Sequence, residues 1–292
     1  IHKNSITASA FLEKNPLILI GDIQIIGDVK LRKEFISSHI QIKKGDVYNE
    51  SLVKNAIKAL NELLFLDAGE NIVVVFEENN TAKIEIHVKK KAANTFDGII
   101  GFAPKSAEDN KLEITGRVSV SLLNMLGHGE SILVDWQKTE PLSQKLSAGY
   151  TYQYILNSRI GNESRIDLLK KDTTYVSTTI FTSVPYYFSY NKIISVNYEN
   201  RSSTILNNTV LSNSTTLPEY ADVNTNLFGI GIKFWNLDYA INPRKGYYLS
   251  SNINSGERKI ERNPSADQRL YEGIKLTSRQ DELKGQFTLY IP

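Results

Sequence analysis

Cysteine is absent from the 292 residues, which removes disulfide frameworks, thiolate metal sites and cysteine nucleophiles in one step. An oxidising compartment such as the periplasm is compatible with that absence. Histidine is sparse as well: His2, His39, His87 and His128 fall in separate segments, without metal-ligand spacing such as His-Glu-x-x-His. Neither sign of charge dominates, since 34 Lys+Arg face 32 Asp+Glu for a net charge of +2. No strong field therefore points to nucleic acid. No run approaches the roughly 18 consecutive apolar residues of a spanning helix. A β-barrel is untouched by that argument, because its strands carry apolar residues at every second position. Residues 1–16 show no apolar stretch followed by a small-residue cleavage site, and with Ile1 at the start the chain is expected to be a processed or excised piece.

What is present changes character near residue 92. Residues 1–16 read as a linker or the end of a preceding domain, 17–91 as one unit and 92–292 as another. In the first unit, Leu17–Ile26 reads as a strand, and Leu31, Phe35, Ile36 and Ile40 fit one face of a short helix. Over Glu50–Phe65 the residues Leu52, Val53, Ala56, Ile57, Leu60, Leu63 and Leu64 recur at helical spacing, with Asn49 placed to cap the start. Asn71–Glu77 and Ala82–Lys89 read as strands joined by Glu78-Asn79-Asn80-Thr81. The order is βααββ. Ile23, Ile25, Leu52, Ile57, Leu60, Leu64, Val73, Val75, Ile84 and Ile86 are expected to form one core between two helices and a three-stranded sheet. A carboxylate at Ile57 would then unfold the unit.

Alternation governs the second region. In Lys111–Leu123, Leu112, Ile114, Gly116, Val118, Val120 and Leu122 alternate with Lys111, Glu113, Thr115, Arg117, Ser119 and Ser121. Tyr150 and Tyr152 alternate with Thr151, and Ile230 and Ile232 with Gly231 and Lys233. Two explanations fit: a soluble sandwich with its apolar face inward, or a membrane barrel with its apolar face toward lipid. Many runs come near the 9–11 residues that a tilted strand needs to cross a bilayer, and sandwich strands are usually shorter. About eleven such strands follow residue 95. The barrel reading places Leu112, Ile114, Val118, Val120, Tyr150, Tyr152, Ile230 and Ile232 toward lipid, and Glu113, Arg117, Thr151 and Lys233 toward the lumen.

Motifs from both regions carry a family resemblance. Ile23-Gln24-Ile25-Ile26-Gly27-Asp28, then Ile42-Lys43-Lys44-Gly45-Asp46-Val47-Tyr48-Asn49, then Leu60-Asn61-Glu62-Leu63-Leu64-Phe65 resemble a POTRA domain. Phe96-Asp97-Gly98-Ile99-Ile100-Gly101-Phe102, Leu112-Glu113-Ile114-Thr115-Gly116, Asn124-Met125-Leu126-Gly127-His128-Gly129-Glu130 with Asp135-Trp136, and Asn242-Pro243-Arg244-Lys245-Gly246 resemble an Omp85-type barrel of the BamA/TamA-like branch. The resemblance implies an α+β POTRA-like domain followed by an antiparallel transmembrane β-barrel. It also implies a Gram-negative outer membrane with the N-terminal domain in the periplasm. The family's Arg-Gly-Phe-type loop motif and its closing strand ending in an aromatic are absent, so an incomplete barrel is expected, with residues 96–103 and 285–291 left unpaired with each other.

Enzyme constellations do not stand out. His39 on the first helix reads as an exposed or capping residue, and Asp135 and Glu199 as solvated lumen lining. No Gly-x-Ser-x-Gly or phosphate-loop pattern occurs. The resemblance implies a protein that promotes insertion or translocation of client outer-membrane proteins, without cofactor or metal. Its implied partners are outer-membrane lipid, client proteins and periplasmic accessory subunits, and no nucleic acid. Two alternatives remain: a barrel that anchors or transports an upstream passenger such as a patatin-like lipase domain, and a soluble β-rich binding module.

Overall fold

A computed structural model describes residues 16–69, 72–104, 112–212, 214–264 and 266–292. His2, Asn71, Lys111 and the linker up to residue 15 lie outside the described residues. The first unit runs β1 (Leu19–Gly27), α1 (Lys33–Ile40), α2 (Glu50–Asn61), β2 (Leu66–Asp67), β3 (Val73–Glu77) and β4 (Thr81–Lys90). β4 is the central strand, parallel to β1 on one side and antiparallel to β3 and then β2 on the other. The two-residue β2 is too short to show any periodicity, and it adds a strand to the βααββ order. Asn49 caps α2, its side chain accepting the Ser51 N–H at 2.8 Å.

The helices cover one face of this sheet. Ile23, Ile36, Ile42, Val53, Ala56, Leu60, Leu66, Ile84 and Ile86 are buried together there, and Ile25 packs at the margin. Ile57 is half-buried. Four residues expected in the core are exposed instead: Leu52 at 39%, Leu64 at 45%, Val73 at 44% and Val75 at 42%. On α2 the buried stripe runs through Val53, Ala56 and Leu60, and a helix cannot bury Leu52 with them without turning that stripe outward. On β3 the register pairs Val74 with the buried Ile84, while Val73 and Val75 pair with Glu85 and Lys83 on the outer face. The run Val73-Val74-Val75-Phe76 is apolar on both faces, so alternation could not choose between them.

Among the described residues, the second unit is one antiparallel sheet of ten strands in sequence order. They are β5 (Thr95–Pro104), β6 (Leu112–Leu123), β7 (Ser131–Glu140), β8 (Ser143–Tyr152), β9 (Asn162–Lys171), β10 (Tyr175–Ser189), β11 (Lys192–Ile205), β12 (Val223–Leu237), β13 (Gly246–Ile260) and β14 (Thr277–Tyr290). β5 and β14 do not pair with each other, so the sheet is open. Among the described residues ten strands stand where about eleven were expected, and several are long, up to 15 residues. One of these, β10, passes through Pro185, whose carbonyl still accepts the Gly161 N–H at 2.9 Å beyond the end of β9. A proline is tolerated at such a margin.

The first unit packs on the end of the sheet where β6–β7, β8–β9, β10–β11 and β12–β13 are joined. At the other end the connections 206–222 and 261–276 share a small core of Leu211, Ala221, Ala266 and Tyr271 with the strand ends Ile205 and Ile260.

Candidate functional site

Pairing registers sort every strand residue of the large sheet onto one of two faces, because directly opposed residues share a face. One row crosses all ten strands: Asp97, Ser119, Asp135, Ser147, Asp167, Thr179, Arg201, Thr225, Arg258 and Ser278. Every member is polar. On the opposite face, Phe96, Val120, Val134, Ala148, Ile166 and Ile180 form a row over β5–β10, and Val184, Val196, Ile230, Ile253 and Leu283 form another over β10–β14. The apolar band thus steps four residues along β10 as it crosses the sheet. A level belt crosses hydrogen-bonded rows obliquely in this way when strands are tilted, as in barrels.

Cross-sheet contacts show which face is concave. Arg201 on β11 donates to both carboxylate oxygens of Glu282 on β14, at 2.5 and 2.9 Å. Those strands would lie about 14 Å apart in a flat sheet at normal spacing. Lys233 on β12 likewise reaches Glu163 on β9 at 3.6 Å. Only a sheet curled toward the polar face lets such side chains meet. Asn197 donates to Asn252 at 3.0 Å across the intervening β12, where Gly229 and Gly231 stand. A Cβ at Gly229 would lie 1.9 Å from the Asn254 side-chain oxygen, and one at Gly231 2.3 Å from that of Asn252. These glycines open the inner wall to a layer of asparagines. Ser183, Asn197, Thr225 and Asn254 are buried on the concave side, whereas Val196, Ile230, Ile253 and Leu283 are 61–75% exposed on the convex side. Polar residues in and apolar residues out reverse the pattern of a soluble sandwich.

The eight residues expected toward lipid all fall on the apolar convex face, and Glu113, Arg117, Thr151 and Lys233 on the concave one. Asp135 and Glu199 are concave too, and Arg117 pairs with Asp135 at 2.8 Å. Register alone fixes these placements.

A second functional feature is the junction between the two units, which the sequence reading missed. His39 is not an exposed cap but is 5% exposed, stacked on Phe35. Its Nε2 lies 2.8 Å from the Ala59 carbonyl and its Nδ1 3.1 Å from the Tyr154 hydroxyl. A carbonyl only accepts, so Nε2 carries the proton and Nδ1 of the neutral ring accepts from Tyr154. Burial pushes the His39 pKa down to about 4. Nearby, the Trp235 indole donates to Glu62 at 2.8 Å, Gln41 donates to the Phe188 carbonyl at 2.7 Å, and the Arg32 N–H donates to the Gly127 carbonyl at 3.0 Å. Burial raises the Glu62 pKa to about 7. Within the β6–β7 connection, the buried Glu130 carboxylate accepts from the N–H groups of Leu126 and His128. Gly129 there has φ +71, and a Cβ on it would fall 2.0 Å from the Phe35 ring. Tyr154 and Tyr187 join the core of the first unit, so the two units share one packed interior.

Comparison with known proteins gives this architecture a family context. Residues 18–91 match the POTRA family model, described as a surface antigen variable number repeat. The first unit is a POTRA domain. The comparison with curated proteins gave no match. Among solved structures, the chain resembles BamA from Haemophilus ducreyi lacking POTRA domains 1–3, at 14% identity and a TM-score of 0.45, over 82% of this chain and 52% of that one. It also resembles CdiB from Escherichia coli, at 9% identity and a TM-score of 0.37, over 94% and 65% of the two chains. For CdiB from Acinetobacter baumannii the values are 8%, 0.30, 85% and 54%. The chain spans between about half and two-thirds of the lengths of these proteins. A POTRA domain followed by an open antiparallel sheet with barrel-like faces is the fold class that the sequence motifs imply.

Proposed function

We propose that this chain is the last POTRA domain and part of the barrel wall of an Omp85-type outer-membrane protein that promotes insertion or translocation of other proteins. The observation that carries the reading is the two-faced sheet: its apolar convex face suits lipid, its polar concave face suits an aqueous lumen, and the POTRA domain sits at one end of it. Nothing in this mechanism needs covalent chemistry. Extended client or accessory segments add to a POTRA strand edge, and the curved wall receives them at the membrane. A soluble module would not leave the convex rows so exposed.

The test is depletion of the protein in its native bacterium, followed by the amounts of folded β-barrel proteins in the outer membrane. The reading expects several unrelated barrel proteins to fall together. Unchanged client levels, with loss only of an activity carried on the same polypeptide, would instead support the passenger-anchor reading.

A further inference from the structure

We propose that the cavity between the POTRA helices and the adjoining barrel connections binds the phosphate of an anionic lipid head group through Lys58, Arg159 and Lys192. The inference rests on the membrane reading given above and adds a specific lipid contact to it.

The cavity has a volume of about 450 Å³, within the ordinary range for small-ligand sites. Its three cations come from three separate segments: α2, the β8–β9 connection and the start of β11. No carboxylate among the described residues lines it. None of the three cations forms an ion pair among the described residues, whereas Arg117, Lys138, Arg165, Lys171 and Arg201 of the sheet each meet a carboxylate. Glu62, an acid of the junction whose charge is felt at Tyr190 in the lining, is held by Trp235 and kept partly neutral by burial. Unpaired cations converging on a polar cavity call for an anion.

Position selects the kind of anion. The register pairs Lys192 with Phe234, placing it on the convex face in line with Ile194 and Val196. Asn236, which also lines the cavity, continues the convex row of Ile230, Ile232 and Phe234 on β12. Phe188, exposed at 49%, ends the same face of β10. The cavity therefore opens where the apolar belt stops at the POTRA end. Acyl chains lying along that belt would bring a head-group phosphate to this level. Basic residues beside a membrane surface attract anionic lipid in the same way, with about fivefold in binding per cation.

The full-length protein that carries this chain is inserted into nanodiscs containing phosphatidylglycerol in a phosphatidylcholine background, and retained phosphatidylglycerol is measured by native mass spectrometry. Combining Lys58→Gln, Arg159→Gln and Lys192→Gln is expected to weaken retention on the order of a hundredfold. Lys58→Arg with Lys192→Arg keeps the charge and should keep the lipid. Changing Lys145, Lys170 and Lys275, which lie toward the opposite end of the sheet, to Gln should leave retention as in the parent. Equal loss in both triple variants, or none in the first, overturns the site while leaving the barrel reading intact. Inorganic phosphate is the second probe: if it displaces the lipid as well as added phosphatidylglycerol does, the site takes a free anion and the lipid assignment is wrong. A full-length protein that enters no bilayer overturns the membrane reading, and the site with it.

Discussion

Three leucines in and just after α2 of the POTRA domain test its core at constant chemistry. Leu60 is fully buried, Leu52 is 39% exposed and Leu64 45% exposed. Leu60→Ala removes buried methyl groups and leaves a cavity beneath β4, for which about 2–5 kcal/mol is typical. Taking roughly 3 kcal/mol, and about 4–8 °C per kcal/mol for a domain of this size, the melting midpoint should fall by roughly 12–24 °C. Leu52→Ala and Leu64→Ala remove groups already partly in water, and no enclosed cavity follows. Each should cost about 1 kcal/mol or less, a shift of a few degrees. The assay is thermal unfolding of residues 17–91, followed by far-ultraviolet circular dichroism. If Leu52→Ala or Leu64→Ala lowers the midpoint as far as Leu60→Ala does, the buried stripe of α2 is assigned to the wrong residues. In the whole chain Leu52 also lines the cavity against the barrel, so its substitution should matter more there than in the isolated domain.

The remaining expectations concern the wall and the junction. Spin labels at Val118 and Ile230 should meet a lipid-soluble quencher and labels at Arg117 and Lys233 a water-soluble one; the reverse pattern would mean a soluble sandwich core. Arg201→Ala leaves Glu199 and Glu282 without their shared cation, and urea unfolding of the folded protein should show a loss on the order of 1–3 kcal/mol, discounted for partial exposure. His39 titrates near 4 when folded against 6.5 unfolded, so its contribution is complete above about pH 6.5 and is lost as pH falls toward 4. The size is roughly 3 kcal/mol, read as pH-dependent proteolysis between the units, and His39→Gln should flatten that slope. Glu62, raised to about 7, acts in the opposite sense, losing its contribution as pH rises from about 4.5 to 7, so Glu62→Gln should steepen the slope that His39 gives. Gly129→Val should loosen the POTRA contact by about 1–3 kcal/mol through the clash with Phe35, seen as a broadened inter-unit distance distribution while both units stay folded.

What the sequence made legible follows from periodicity. Strand residues alternate strictly, so Leu112, Val118 and Ile230 could be sorted from Glu113, Arg117 and Lys233 without coordinates. Asn49 announced the start of α2 because capping is local. Where the pattern is apolar on both sides, as at Val73–Phe76 or around Leu52-Val53, it carries no direction, and packing across the domain decides. His39 was misread because its partner Tyr154 lies 115 residues further on, and nothing local to α1 reports that contact. The asparagine layer was missed for a similar reason. Gly229 and Gly231 look like weak points in a strand, and only the neighbouring Asn252 and Asn254 show what the missing side chains make room for.

The junction also bears on how the proposed activity would work. α1, α2 and the segment before α1 make the contacts to the barrel connections, through Arg32, Phe35, His39, Gln41 and Glu62. None of these residues belongs to the POTRA sheet. β3 pairs only with β4 among the described strands, and Val73, Val75 and Phe76 on it are 42–56% exposed. The one charge of β3 is Glu77 at its end, and an unpaired apolar strand edge is normally hidden or blunted because it templates pairing with another chain. Here it is presented by a domain whose interior continues into the barrel connections through Tyr154 and Tyr187, so its direction relative to the wall is set by packing rather than by a free linker. An extended client segment added to β3 would therefore arrive already oriented with respect to the barrel. Charge on this edge, introduced as Val75→Lys, should weaken capture of such segments without changing the melting of the domain, because Val75 lies outside its core; unchanged capture would show that β3 is not the receiving strand.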